Sequence, residues 1–184
     1  MVEDIKIVID DKLKNIAKEH SKERMKFEYN RFGFCSQKRE NMILIGNIGQ
    51  LVFKQFLESM NISFKYQLQA GNYDDFDFEI NNEIFEIKTS MFYGDYSKLN
   101  LLYSQDQYVS GKRKNFKYCV QIFVNGMNPS TRMLDIEKTD IAFISGYIEF
   151  DNIKLFKNKK QYYGDDYKVP IKQLKNILDL LIKK

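Results

Sequence analysis

Residues Asp77-Phe78-Glu79-Ile80-Asn81-Asn82-Glu83-Ile84-Phe85-Glu86-Ile87-Lys88 read as a β-hairpin. One strand alternates through Phe76, Phe78 and Ile80, and the next runs through Ile84, Glu86 and Lys88. Asparagine tolerates the positive φ that a tight hairpin needs, so Asn81-Asn82 between two alternating runs is a turn signal. Glu86 and Lys88 are two apart, so their side chains leave the same face of the strand. A two-residue turn sets Asp77 opposite Glu86 and Phe78 opposite Phe85. Two carboxylates and an ammonium then converge.

That combination is what metal-dependent phosphodiester cleavage requires. Mg²⁺ takes oxygen ligands and keeps several waters, so one or two carboxylates plus a substrate phosphate complete its shell. A bound metal activates water and stabilises charge on the phosphate. A neighbouring lysine can orient or deprotonate the attacking water, or offset the developing charge.

Spacing alone does not decide it. Acid-x-Lys also occurs at Asp4–Lys6, Asp10–Lys12 and Asp166–Lys168, all three read as solvated charge. Only Glu86–Lys88 follows an Asp-bearing strand across a tight turn, with Phe85 and Ile87 offering an apolar opposite face. It also lies among Asp74, Asp75, Asp77, Glu79 and Glu83, an acidic cluster in a chain of formal net charge +4. The competing reading is an exposed hairpin with its charges on a wet face, common in half-solvated antiparallel strands.

The stretch resembles the PD-(D/E)XK nuclease superfamily, the restriction-endonuclease-like fold. Asp77 matches the first acid of its motif, and Glu86-Ile87-Lys88 matches the acid-x-Lys element. Gly46-Asn47-Ile48-Gly49-Gln50 resembles the Gly-x-x-Gly-Glu helix motif of many small members. Phe76 stands where the name-giving proline would be, and Gln50 stands where glutamate is usual, one charge fewer for a second metal. The resemblance spans about 46–124. It implies that Asp77 and Glu86 bind Mg²⁺ (with Mn²⁺ able to substitute), that the Ile87 carbonyl assists, that Lys88 acts on the attacking water and that Gln50 orients water or metal.

The 184 residues suit one domain, 1–184, with a charged helical segment at about 1–38. A hydrophobic content of 43 %, with 15 % aromatics, argues for a folded chain. Lys112, Arg113, Lys114 and Lys117 form one basic run. Lys154, Lys157, Lys159 and Lys160 form another, beside Tyr162 and Tyr163. Basic runs near aromatics suit phosphate contacts and base stacking, and solvated loops are the plainer reading. Cys35 and Cys119 match no zinc or redox spacing. With no signal-like start and no apolar run of membrane length, a cytoplasmic protein is expected.

His20, the one histidine, lies in a charged stretch and reads as part of a solvated helix face. A single histidine excludes a His-Asn-His nuclease core or a two-histidine ribonuclease pair. Neither a Gly-x-Ser-x-Gly elbow nor a phosphate-binding Gly-x-x-x-x-Gly-Lys loop occurs.

Along the chain, 10–30 reads as a helix with Leu13, Ile16 and Ala17 as its apolar seam. Residues 39–60 read as a second helix through Ile45, Ile48, Val52 and Phe56. Gly46 and Gly49 are expected to permit close approach of the sheet or substrate. Residues 97–108 are ambiguous between loop and helix. Tyr118–Val124 and Ile141–Phe150 read as strands, and Ile171–Ile182 as a final helix whose leucine and isoleucine stripe packs in the core.

The order of elements predicts an α/β fold, a mixed β-sheet flanked by helices; the resemblance makes it a restriction-endonuclease-like core. The expected function is a metal-dependent endonuclease acting on DNA, with a homodimer allowed. Asp77→Asn, Glu86→Gln and Lys88→Ala are expected to abolish cutting without disturbing the fold, as exposed polar changes do. The alternatives are an inactive nucleic-acid-binding protein on the same fold and an interaction protein with solvated hairpin charges.

Overall fold

The computed structural model describes residues 4–27, 35–66, 77–158 and 166–182. Its central feature is a mixed six-stranded sheet in the order β1-β7-β6-β4-β3-β2. The strands are β1 (Ile5–Val8), β2 (Lys65–Tyr66), β3 (Phe78–Ile80), β4 (Glu83–Met91), β6 (Phe116–Val124) and β7 (Ile141–Glu149). β4 and β6 run parallel; every other neighbouring pair is antiparallel. A three-stranded sheet of β5 (Asn100–Ser104), β9 (Asp166–Pro170) and β8 (Lys157–Asn158) accompanies it.

The hairpin forms in the expected register, Phe78 facing Phe85 and Ile80 facing Glu83. Asn81 and Asn82 have φ of 52° and 62°. Two consecutive left-handed residues make the turn whose twist matches the strands, which is why asparagines occupy it.

Alternation along β4 and β6 divides the apolar side chains between two faces. On one, Phe78, Phe85, Ile87, Val120 and Ile122 meet Ile48, Val52 and Phe53 of helix α2 (Ser36–Ser59). Phe53 packs edge-on against Phe78 at 5.1 Å between ring centres, and both rings are fully buried. Truncating either to alanine would cost about 3–5 kcal/mol. On the other face, Leu101, Tyr103, Cys119, Ile148, Phe150 and Val169 form a second core beneath the small sheet. A 3₁₀ segment, Phe150–Phe156, contributes to that core. The two cores make this a layered α/β arrangement with the main sheet in the middle.

Helix α1 (Asp11–Phe27) buries Leu13 and Ala17, with Ile16 half-buried, as its seam predicted. It starts where Asp10 Oδ1 accepts the Leu13 N–H at 2.8 Å. Buried Asn47 ties α2 to α1, accepting from Arg24 at 3.0 Å and donating to Ser21 at 3.0 Å.

The structure departs from the expected elements in three places. The N-terminal segment is not helical throughout: β1 pairs with β7 before α1 begins. Residues 97–108 resolve into β5 followed by helix α3 (Gln105–Arg113). Ser104 starts α3 with a reciprocal capping box to Gln107, and Ser104-x-x-Gln107 was legible as one. The final helix is broken. A 3₁₀ turn at Ile171–Gln173 precedes a bridge from Lys175 to Tyr147, and only Ile177–Leu181 (α4) is helical, capped by Asn176. The stripe does pack in the core, Leu174 in one and Ile177 in the other.

Candidate active site at the split between two strands

β3 and β4 pair only from Phe78 onward, so β4 runs past its neighbour on that side. Asp77, the residue just before β3, fills the gap with its side chain. Its Oδ2 accepts the Ile87 backbone N–H at 2.6 Å, and its Oδ1 accepts from Gln50 Nε2 at 2.5 Å. The carboxylate thus occupies the position a continuing strand would take and joins α2 to the edge of β4.

Gln50 reaches this point because Gly49 lets α2 approach β4. A Cβ on Gly49 would lie 1.7 Å from Thr89 Oγ1, an impossible contact. The expected close approach of the sheet is found at Gly49 and not at Gly46, where a Cβ would meet no protein atom within 4 Å. Gln50 is only 6 % exposed, and its Oε1 is buried with no hydrogen-bond donor.

Glu86 and Lys88 project together, as their spacing required, and their Oε1 and Nζ are 2.5 Å apart. Their face is not wet. The side chains are 15 % and 18 % exposed, because β5 lies over them. Lys88 Nζ stands 4.4 Å from the centre of the Tyr103 ring, and Tyr103 is 1 % exposed. Burial opposes the Lys88 charge, but Glu86 beside it and Asp77 beyond outweigh that, so Lys88 is held above the ordinary lysine range. Burial, with Glu86 adding to it, pushes the Tyr103 hydroxyl up as well. The hydroxyl lies close to Glu86 without a hydrogen bond of standard geometry. Cys119, paired with Glu86 in the ladder, is buried in the same core, and burial raises its thiol.

The solvated-hairpin reading therefore fails for Glu86 and Lys88, and so does the premise that replacing them is an exposed polar change. Ile87 enters the site through its N–H to Asp77, while its side chain is core. The rest of the acidic cluster disperses. Glu79 pairs with Lys65 at 2.6 Å, Glu83 lies 3.4 Å from the Tyr118 hydroxyl, and Asp74 and Asp75 fall outside the described residues with Phe76. Two other acid-x-Lys acids have structural tasks: Asp10 caps α1, and Asp4 accepts from Tyr96 at 2.6 Å.

Among the described residues, members of both basic runs flank one surface carboxylate, Asp151. Lys112 and Arg113 end α3, Lys114 caps it and Lys117 lies at the start of β6, so this run is a helix terminus and a strand start rather than a loop. Lys112 bonds to Asp151, and Lys154 and Lys117 also act on that carboxylate, holding it below the usual range together with the Lys112 hydrogen bond. Both runs thus border one carboxylate. Lys157 is exposed nearby in sequence, at the start of β8; Lys159, Lys160, Tyr162 and Tyr163 lie outside the described residues.

Comparison with protein-family models, curated proteins and solved structures returned no match. The site must be interpreted on its own chemistry. Among the described residues no group of three or more His, Cys, Asp or Glu gathers in a metal-binding arrangement. The oxygens at hand are two carboxylates and the amide oxygen of Gln50. No helix among the described residues is long and apolar enough to cross a membrane.

Proposed function

We propose that this chain is a Mg²⁺-dependent endonuclease that hydrolyses DNA phosphodiester bonds on a restriction-endonuclease-like, PD-(D/E)XK core. The observation that carries this reading is Asp77 at the split edge of the sheet, bonded to Gln50 of the helix and to the Ile87 N–H, with the Glu86–Lys88 ion pair within its electrostatic reach.

The donor set fits a hard cation. Asp77 and Glu86 are anionic oxygens, and Gln50 Oε1 is a buried acceptor that lacks a donor, which is costly unless something fills it. These three, with the Ile87 carbonyl, would hold the ion, and substrate and water would complete its shell. When bound, Mg²⁺ would polarise the phosphate and favour ionisation of water. The Ile87 N–H fixes the Asp77 carboxylate, and Gln50 fixes it from the helix side. Lys88, as an ammonium, would donate to the attacking water or to the phosphate oxygen that gains charge. The cations around Asp151 would contact the DNA backbone.

The test is cleavage of plasmid, linear and single-stranded DNA by the purified protein, in Mg²⁺, Mn²⁺ or EDTA. Cutting that requires the metal and is lost in Asp77→Asn supports the reading; no cutting of any substrate defeats it. Gln50 in place of a glutamate favours one second reading, a nucleic-acid-binding protein on the same core that has lost catalysis. Salt-sensitive DNA binding without cutting would select it.

A further inference from the structure

We propose that Tyr103 is a positioning residue, which fixes the Lys88 ammonium against Glu86. The task of Lys88 is taken from the nuclease reading above; its placement is a matter of geometry.

A lysine ammonium ends a flexible four-carbon stem, so a defined position needs contacts on more than one side. Lys88 has two, from different sheets. Glu86 Oε1 comes from its own strand at 2.5 Å, and the Tyr103 ring from the other sheet at 4.4 Å. An aromatic face attracts a cation, and does so more strongly away from water. Tyr103 is itself buried and packed on two sides. It faces Tyr167 across the β5–β9 ladder, and Phe150 packs edge-on against it at 5.5 Å.

Simple core filling does not account for this choice of residue. A leucine would fill the space but would offer the ammonium no aromatic face, whereas the Tyr103 ring lies 4.4 Å from Lys88 Nζ. The ring lies under Lys88, and the hydroxyl on the same side chain feels the Glu86 carboxylate, so Tyr103 acts on both members of the pair. The small sheet thereby does more than cover apolar surface: it carries the ring that aims the ammonium.

The decisive measurement is the NMR signal of the Lys88 Cε protons in DNA-free protein. A ring 4.4 Å away should shift them upfield of an ordinary lysine in wild type and in Tyr103→Phe, and leave them unshifted in Tyr103→Leu. Single-turnover cleavage at saturating protein should fall about tenfold in Tyr103→Leu, with DNA affinity unchanged, and recover to near wild type in Tyr103→Phe. An unshifted Lys88 in wild type overturns the assignment, and so does a Tyr103→Leu protein that cuts at the full rate. If Tyr103→Leu does not fold, the wild-type and Tyr103→Phe spectra decide alone. A wild-type protein with the shifted signal that cuts nothing defeats the nuclease reading and leaves the placement of Lys88 by Tyr103 intact.

Discussion

Gln50 Nε2 and Asp77 Oδ1 lie 2.5 Å apart, joining residues 27 positions distant in the chain. The contact is an amide N–H on a carboxylate, and glutamate at position 50 would turn it into two like charges. Gln50→Glu should therefore lower thermal stability in EDTA and gain more from Mg²⁺ than wild type does, because a cation between the two carboxylates stabilises the folded state by mass action. Melting curves against Mg²⁺ concentration check this, and cleavage by Gln50→Glu should reach its half-maximum at lower Mg²⁺. Equal Mg²⁺ responses in the two proteins would remove Gln50 from the proposed metal site.

Burial makes the Glu86–Lys88 pair a stability element as well as a site. Lys88→Ala leaves a carboxylate in the second core without its cation and should destabilise by on the order of 3 kcal/mol. Glu86→Gln combined with Lys88→Met removes both charges and should recover much of that loss while remaining unable to cut. Chemical denaturation of the three proteins separates the fold from the chemistry. A Lys88→Ala protein as stable as wild type would mean that the pair is solvated after all.

The two helix glycines should respond in opposite directions. Gly49→Ala drives a methyl into Thr89 and should cost about 1–3 kcal/mol, moving Gln50 away from Asp77. Gly46→Ala meets open space and should stabilise α2 by about 0.5–1 kcal/mol. The comparison is one pair of melting temperatures. A Gly49→Ala protein that melts with wild type would show that α2 can retreat freely.

His20 gives the fold a pH dependence of known sign. Burial lowers its pKa, Arg24 adding to that and Glu19 opposing it, so the folded chain binds the proton less tightly than the unfolded one. Stability from this group is present above the ordinary histidine range and lost as pH falls through 6.5 toward the folded pKa. His20→Gln should flatten the slope of stability between about pH 7 and 5. An identical slope in both proteins would assign it to other groups.

Asp151 offsets the cations that border it. Asp151→Asn should tighten DNA binding and steepen its salt dependence, whereas neutralising Lys112, Arg113 and Lys114 together should do the reverse. Binding titrations from low to moderate salt read both. Unchanged slopes would return these cations to the solvated surface.

The hairpin was legible because its information is local: Asn81-Asn82 fixes the turn, and the turn fixes which residues face each other. The face that Glu86 and Lys88 occupy was legible too, but what covers it was not. Tyr103 reaches them through a second sheet whose strands are distant in sequence, and no periodicity reports such pairing. β1 was missed because four residues beside a charged helix give no pattern to read, and its partner lies in β7. The closing helix failed for a related reason: the Lys175–Tyr147 bridge outweighs a helical stripe in 171–182. Gly49 and Gly46 looked alike, and only the position of Thr89 distinguishes them.

The pairing of β5 with β9 has a consequence for how the chain assembles. Leu101 finds its partner at Val169 and Tyr103 at Tyr167, across most of the second half of the sequence. The hairpin that carries the ion pair can close early from local contacts, but the sheet that carries its cover is completed only by the long-range pairing of β5 with β9, which forms more slowly. Glu86 and Lys88 should remain in water until the small sheet docks over them. Drying of the site and completion of the fold should therefore be the same kinetic event, so a nascent or partly unfolded chain would hold the full set of site residues and still lack the dry pocket around Lys88.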